Sequence, residues 1–156
     1  MTLHHDRHHQ AYITNLNAVL ADYYVAASQG HIADQTALQA SIHFNGGGHI
    51  NHALFWPTLA PASSADACEP EAKAPRLLAA LGVEYGSLDN FSTTFSSTLL
   101  SVQGSGWGWL VRSGCGVDGR LLITTTKDQD PVVRSIAIGG QASLQNPQTR
   151  KALCPY

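Results

Sequence analysis

Charged side chains are scarce in this chain of 156 residues. Asp, Glu, Lys and Arg together make up 13% of it, about half of the share that is typical of globular domains. The formal net charge is −2, so no basic surface is expected that would attract nucleic acid or anionic lipid. No apolar run approaches the roughly 20 residues that a membrane-spanning helix needs. The composition therefore predicts neither a nucleic-acid partner nor a membrane partner.

Cysteine is also sparse and poorly placed for cross-linking. The three cysteines, Cys68, Cys115 and Cys154, are far apart and form no CxxC pair. This argues against a disulfide framework and against a thiolate zinc site, and it fits a reducing compartment.

Hydrophobic residues reach 44%, which is enough for one domain or two small layers around a core.

Histidine, in contrast, is abundant and confined to one part of the chain. All eight histidines lie at or before His52, and no Asp or Glu follows Asp130. Four of them fall in "LHHDRHHQAY", residues 3–12. This stretch merges into an amphipathic pattern, which is not expected of an affinity-tag remnant. A metal site, a proton relay and an ordinary polar helix face all remain open for it.

Helical spacing divides this opening stretch into two faces. His4, His8 and Tyr12 stand at i, i+4 and i+8 and share one face. His5 and His9 are rotated toward another face, where they pack or meet solvent. A buried imidazole needs a metal, a hydrogen-bond acceptor or a water as its partner. One inward-facing row of chemically active side chains is therefore predicted.

A second histidine group lies in "NGGGHINHALFW", residues 45–56. His49 and His52 stand at i and i+3, which alone is a weak metal signal. The three preceding glycines allow backbones to approach closely. A metal site made from His4 and His52 would require two helices to cross at that point.

The periodicity predicts an α+β fold in which helices precede a sheet. Five helices are expected. The first spans 2–28 and ends near Gly30, the second follows an Asp34 cap through 35–44, and the third spans 49–56. The fourth spans 76–86, and the fifth follows a Ser87 cap through 88–102. Residues 57–75 are rich in Pro, Ala and Ser and are predicted to form a linker. Two strands, 104–113 and 119–127, are joined through an Asp-Gly turn in "VDGR". A short strand is possible over 132–140, and no structure is assigned after it.

Two further side-chain groups stand out in the second half. Trp107 and Trp109 are two residues apart, so on a strand they face the same side, as part of a core or as an apolar wall that excludes water. Gln129 lies between two aspartates in "KDQDP" and by itself suggests a solvated turn. Neither pattern alone defines a function.

Four motifs taken together resemble the manganese/iron superoxide dismutase family. They are "LHHDRHHQAY", "FNGGGHINHALFW", "VQGSGWGWL" and "KDQDP", in the family's order and spacing, from about residue 1 to residue 132. The resemblance implies an N-terminal helical hairpin domain over 1–60 and a partial α/β domain over 61–133. In the family that second layer has a three-stranded antiparallel sheet, of which this chain carries a hairpin. The resemblance further implies one metal ion per subunit, held between the two layers.

The resemblance also implies a role for individual residues. His4 and His52 match metal ligands, while His8 matches the histidine that lines the substrate funnel and Tyr12 the tyrosine that relays protons. Trp107 matches an aromatic residue of the site wall, and Gln129 matches the glutamine that hydrogen-bonds metal-bound water. Gln129 together with Gly48 resembles the manganese subtype rather than the iron subtype. The implied reaction converts superoxide to oxygen and hydrogen peroxide.

The chain departs from the family pattern at both ends. The family's D-x-W-E-H-A-Y-Y stretch, which supplies an Asp and a His ligand, does not occur, and the family segment before the first histidine helix does not appear. A truncated chain with a divergent, disordered tail over 134–156 is therefore expected. One alternative is an inactive truncated or splice-variant form that acts only as an interaction partner. Another is a histidine-rich metal-binding module without a redox role.

Assembly and compartment are expected from the resemblance alone. The family forms homo-oligomers, either dimers or tetramers, and works in the mitochondrial matrix. No transit peptide is visible before the first histidines, so the cytoplasm is the alternative location.

Overall fold

The computed structural model describes residues 1–113 and 119–132, which form two compact units. The first unit contains Met1–Thr58 together with Asp128–Pro131, and the second contains Leu59–Lys127. The sequence had assigned residues 128–131 to the segment 61–133. Their contacts instead join them to the helical unit. The side chains of His43 and Asn51, about 80 residues earlier in the chain, bind residue 130.

The first unit is a helical hairpin. A π-helical turn, His4–His9, runs directly into α1, Gln10–Ser28, and α2 spans Ile32–Phe55 before the 3-10 turn Trp56–Thr58. The predicted helix over 2–28 is confirmed, although its histidine-rich start is π-helical. Gly30 adopts φ +72°, a left-handed conformation that glycine accepts without strain. It lies in the connection between α1 and α2.

The second helix differs from the prediction in two respects. The sequence indicated separate helices on either side of the glycine run, but α2 is continuous from Ile32 to Phe55. The predicted Asp34 cap is also wrong, because His31 holds the N-cap position and Asp34 lies in the first turn. Glycines lower helix stability only modestly, and packing elsewhere in the unit overrides that preference.

The second unit begins with short helices. Residues 57–75 were predicted as a linker, yet they include α3, Ala65–Cys68, and α4, Pro70–Lys73. The longer α5, Pro75–Tyr85, and α6, Leu88–Leu100, match their predictions. Ser87 caps α6 as expected, since its Oγ accepts a hydrogen bond from the Asn90 N–H at 3.1 Å.

The two strands form the predicted antiparallel sheet. β1, Gly106–Arg112, pairs with β2, Leu121–Lys127, so that Trp107 lies opposite Thr126. Within this unit α5 and α6 pack against the strands, and the α+β class is confirmed. Three predictions concern residues outside the described ones. They are the first half of the "VDGR" turn, residues 117–118; the strand expected over 132–140, of which only residue 132 is described; and the tail over 134–156.

Polar side chains occupy much of the buried volume of the first unit. His9, Asn51, His52 and Gln129 are all buried there, whereas its buried apolar side chains among the described residues are Val19, Ala26 and Pro131. Burying polar groups is costly unless each finds a partner. The arrangement of those partners defines the candidate site. Among the described residues, every helix is too short or too polar to serve as a transmembrane span.

Candidate metal centre

The two histidine groups of the sequence meet where the start of the first helix crosses α2. His4 Nε2 lies 3.0 Å from His52 Nε2. The π-helical turn His4–His9 widens the helix at this point, and such turns are often found at functional sites. The close crossing required by the sequence prediction is therefore present.

His52 is oriented by its own helix. Its side chain is 1% exposed, and its Nδ1–H donates to the Gly48 carbonyl oxygen at 2.6 Å. In the neutral ring the remaining nitrogen, Nε2, then carries a lone pair. Metal-binding histidines commonly donate their other ring N–H to a carbonyl or carboxylate in this way. The His52 Nε2 atom is thus prepared to act as a ligand or acceptor.

His8 completes a group of three imidazoles. The ligand atoms of His4, His8 and His52 all lie within 4.8 Å of one another. His8 is exposed, and its ring stands edge-on to Tyr12 with centroids 5.2 Å apart. The predicted row of His4, His8 and Tyr12 along one face is thereby present, and His8 forms its solvent side. Sequence spacing had not joined His8 to His52.

This donor set fits a transition-metal ion. Two imidazole nitrogens held about 2.1 Å from one ion are about 3.0 Å apart at a right angle and about 3.4 Å apart at the tetrahedral angle. The His4 and His52 Nε2 atoms have the first of these separations. Imidazole ligands suit first-row transition metals such as iron, copper and zinc. The residues therefore provide two ligand positions, with a third imidazole close by.

Burial keeps these groups in the protonation states that ligation needs. Desolvation lowers the pKa of His52, and desolvation followed by repulsion from His8 lowers the pKa of His4. Both rings consequently favour the neutral form that binds a metal. Desolvation also raises the pKa of Tyr12, which keeps its hydroxyl proton. Tyr12 therefore stays a neutral phenol beside the histidines.

Beside the three imidazoles lies a further group of side chains, Trp56, His9 and His49, which sequence reasoning did not connect to the site. Trp56 stands edge-on to His4 with centroids 5.2 Å apart. Its Nε1–H donates to His9 Nδ1 at 2.9 Å, and His9 Nε2 lies 2.9 Å from His49 Nδ1. His9 packs inside while His5 faces solvent, so each takes one of the two predicted environments. The doubled "HH" pairs and the spacing of His49 to His52 were the sequence signals for this group.

The segment Asp128–Pro131 is held against α2. The Asn51 Nδ2–H donates to the Asp130 carbonyl oxygen at 3.0 Å, and His43 Nε2 lies 2.6 Å from Asp130 Oδ1. The Gln129 carbonyl oxygen abuts Gly47, where no Cβ would fit. Gln129 is only 9% exposed, so its interpretation as part of a solvated turn is wrong.

Trp107 lies in the second unit, on β1. Its ring is half-buried and stacks on Trp109 with centroids 5.3 Å apart and 16° between planes. The prediction that both tryptophans face one side of the strand is confirmed. The Trp109 Nε1–H donates to Thr126 Oγ1 at 3.4 Å across the sheet.

Fold and site together define an α+β protein whose helical hairpin presents an imidazole cluster suited to a transition metal. The alpha-hairpin domain of iron/manganese superoxide dismutases matches residues 1–60, and the C-terminal domain of the same family matches residues 73–140. The chain belongs to the iron/manganese superoxide dismutase family.

Several curated relatives are manganese superoxide dismutases. The mitochondrial protein of Neurospora crassa is 53% identical over 133 residues, which cover 85% of this chain and 54% of that protein. The mitochondrial protein of Aspergillus oryzae is 51% identical over 140 residues, covering 90% and 65% respectively. The Chlamydia muridarum protein is 43% identical over 132 residues, covering 85% and 62%. The chain thus spans between about half and two thirds of the length of these relatives.

Proposed function

We propose that this chain contributes to a superoxide dismutase that uses manganese. The observation that carries the proposal is the 3.0 Å approach of His4 Nε2 and His52 Nε2, with His52 Nδ1 tied to Gly48. Both relatives from Neurospora and Aspergillus are named manganese enzymes. When bound, manganese supplies a redox couple that oxidises one superoxide to oxygen and reduces a second, which leaves with two protons as hydrogen peroxide.

His4 and His52 are the residues that would hold the ion. Their lowered pKa values favour neutral rings at neutral pH, the charge state in which an imidazole can bind a metal. His8 is exposed beside them and lines the approach for superoxide. Tyr12 keeps its proton and lies edge-on to His8, which suits a relay from solvent.

Gln129 and Trp107 are proposed to act around the ion rather than on it. A buried amide near a redox metal tunes its potential through hydrogen bonds to the bound solvent. Burial of Gln129 and the attachment of its segment to α2 support this role. Trp107 supplies apolar surface that excludes water. Gln129 with Gly48 also favours manganese over iron, in line with the names of the relatives.

A second candidate function is a non-catalytic partner of family subunits. The sequence has no Asp-x-Trp-Glu-His stretch, no histidine after His52 and no acidic residue after Asp130. Two imidazoles bind a divalent ion weakly and control its potential poorly. A chain that pairs with full-length subunits, or one that binds a metal without redox activity, is consistent with those facts.

One purified preparation separates these functions. Bound manganese and iron are measured by elemental analysis, and superoxide consumption is measured on the same sample. One manganese per chain with high activity supports the dismutase, while metal without activity supports a metal-binding module. A sample with neither bound metal nor activity supports the non-catalytic partner.

The control variants exploit the geometry of the cluster. His4→Ala and His52→Ala should each abolish metal retention and activity together. His31→Ala removes an exposed histidine at the far end of the hairpin and should leave both unchanged. Activity that survives in His52→Ala would contradict the ligand assignment.

The remaining expectations extend the proposal to the assembled protein. We propose a homo-oligomer, a dimer or a tetramer, and a mitochondrial matrix location like that printed for the fungal relatives. The division into a hairpin domain over 1–60, a second domain over 61–133 without the segment 128–131, and a divergent tail over 134–156 belongs to the same proposal. Sedimentation of the purified chain and fractionation of cells test the first two points.

A further inference from the structure

A short hydrogen-bond chain beside the ligand cluster has a single direction. The indole of Trp56 is only a donor, and its Nε1–H points at His9 Nδ1, 2.9 Å away. His9 Nδ1 must therefore accept, so the neutral His9 ring carries its proton on Nε2. That proton is directed to His49 Nδ1, also 2.9 Å away. The tautomers of His9 and His49 both follow from the one donor at Trp56.

His9 is enclosed by the rings that it contacts. Its side chain is 7% exposed. Its ring is nearly parallel to the ring of His52, with centroids 5.2 Å apart and 14° between planes. A buried ring with both nitrogens engaged has little freedom to rotate or flip. The ring next to His52 is thus itself held in place at two points.

We propose that His9 is a positioning residue for His52, held in the Nε2–H tautomer by the chain Trp56 to His9 to His49. His52 is then supported by the Gly48 carbonyl oxygen on α2 and by the His9 ring from the other helix, in addition to its ring contacts with His8, Tyr12 and Trp56. Together they restrain rotation of the His52 ring and direct its Nε2 toward His4. The inference rests on the proposed function only in treating His52 as a ligand.

The first test needs no metal. Long-range ¹H–¹⁵N spectra of the full chain at about pH 8, above the ordinary imidazole pKa of about 6.5, report each tautomer directly. His9 and His49 should each show a proton on Nε2, and His52 a proton on Nδ1. In Trp56→Phe, which keeps an aromatic ring but removes the donor, His9 should become a mixture of tautomers. A proton on His9 Nδ1 in the unmodified chain would overturn the inference.

The second test separates the hydrogen bonds of His9 from its ring. His9→Gln offers an acceptor and a donor without a ring, while His9→Phe offers a ring without either. Each variant is titrated with Co²⁺, whose visible absorption reports both affinity and ligand geometry. His9→Phe should bind Co²⁺ about 10- to 100-fold more weakly with an altered spectrum, as is typical when such outer partners are lost. His9→Gln lacks the ring that faces His52, so it should show a loss of similar size.

A matched control and a metal-independent readout keep the outcomes distinct. His31→Phe makes the same change at an exposed site and should leave affinity and spectrum unchanged. If the unmodified chain binds no Co²⁺, the proposed function fails, but the His9 and His49 tautomers and the His52 ring resonances still decide the inference. In His9→Phe the ring beside His52 is no longer held at two points, so the His52 ring resonances should shift and broaden while its Nδ1–H bond to Gly48 remains. Unchanged His52 ring resonances, or unchanged Co²⁺ affinity in a folded His9→Phe, would overturn it.

Discussion

Gly46, Gly47 and Gly48 are consecutive residues of α2, yet each would place a methyl group in a different environment. A Cβ at Gly46 would meet only Leu16 Cδ1, at an ordinary 3.7 Å. At Gly47 it would collide with the Gln129 carbonyl oxygen, and at Gly48 it would lie 2.5–2.7 Å from atoms of the Tyr12 ring. Two of the three glycines thus serve close approaches, and one does not.

Alanine substitution at these three positions should therefore give opposite results. Gly46→Ala should stabilise the chain by about 0.5–1 kcal/mol, because alanine costs less entropy in a helix. Gly48→Ala should destabilise it by about 1–3 kcal/mol through overpacking against Tyr12, and Gly47→Ala should displace residue 129 at a similar cost. Urea unfolding measures all three, with Gly46→Ala as the internal control. Equal stability of Gly46→Ala and Gly47→Ala would contradict the packing of Gln129.

At the scale of single elements, the start of α6 depends on one side chain. Ser87 Oγ accepts the Asn90 N–H at 3.1 Å, which satisfies one of the free donors at the helix start. Ser87→Ala should lower the free energy of unfolding by about 1 kcal/mol. The exposed Ser92, inside the same helix, is the matched control, and Ser92→Ala should be neutral or slightly stabilising. Chemical denaturation of both variants checks this, and equal losses would argue against capping.

The helical hairpin should lose stability in acid when no metal is bound. Burial lowers the pKa of His4, His9 and His52 below their ordinary 6.5. Between the folded and unfolded pKa values, the unfolded chain binds more protons, so stability rises with pH. The stabilisation is complete above about pH 6.5 and is lost progressively as the pH falls below it.

Fluorescence of Trp56 follows this loss within the hairpin. The double variant Trp107→Phe/Trp109→Phe leaves Trp56 as the remaining tryptophan. Its unfolding in urea is measured at several pH values across the acidic range. Adding His4→Phe removes one titrating ring and should reduce the pH dependence. Hairpin stability that stays constant from neutral to mildly acidic pH would refute the neutral histidine cluster.

At the scale of the whole molecule, polar contacts from His43 and Asn51 tie the distant residue Asp130 to α2. Asn51 is fully buried, and its Nδ2–H donates to the Asp130 carbonyl oxygen at 3.0 Å. The exposed Lys127 directly precedes this held segment. Asn51→Ala removes the donor and leaves a void, which should release residues 128–131.

Limited proteolysis measures that release. The rate of cleavage follows the population of the open form, and losing about 1.4 kcal/mol of stabilisation raises that population about tenfold. Trypsin should therefore cleave after Lys127 about tenfold faster in Asn51→Ala. Asn45→Ala removes a local bond to the Ser41 carbonyl oxygen and should leave this cleavage unchanged. Equal rates in both variants would show that Asn51 does not hold the segment.

The sequence by itself determined the elements and the ligand candidates. Local patterns were sufficient for the helix over 2–28, the Ser87 cap, the strand pair and the shared face of His4, His8 and Tyr12, because periodicity and capping act over a few residues. The family motifs pointed to His4 with His52, although no local pattern links residues so far apart. The continuity of α2 escaped prediction, because propensity places a break at consecutive glycines.

Only the tertiary structure decided how these elements become a site. The parallel rings of His9 and His52, the chain from Trp56 to His49, and the attachment of Asp130 to Asn51 all join residues 40 or more positions apart. Side-chain hydrogen bonds of this kind leave no periodic trace, and the burial that shifts the histidine pKa values arises only once the helices pack. Packing thus turned two histidine-rich stretches into one oriented cluster.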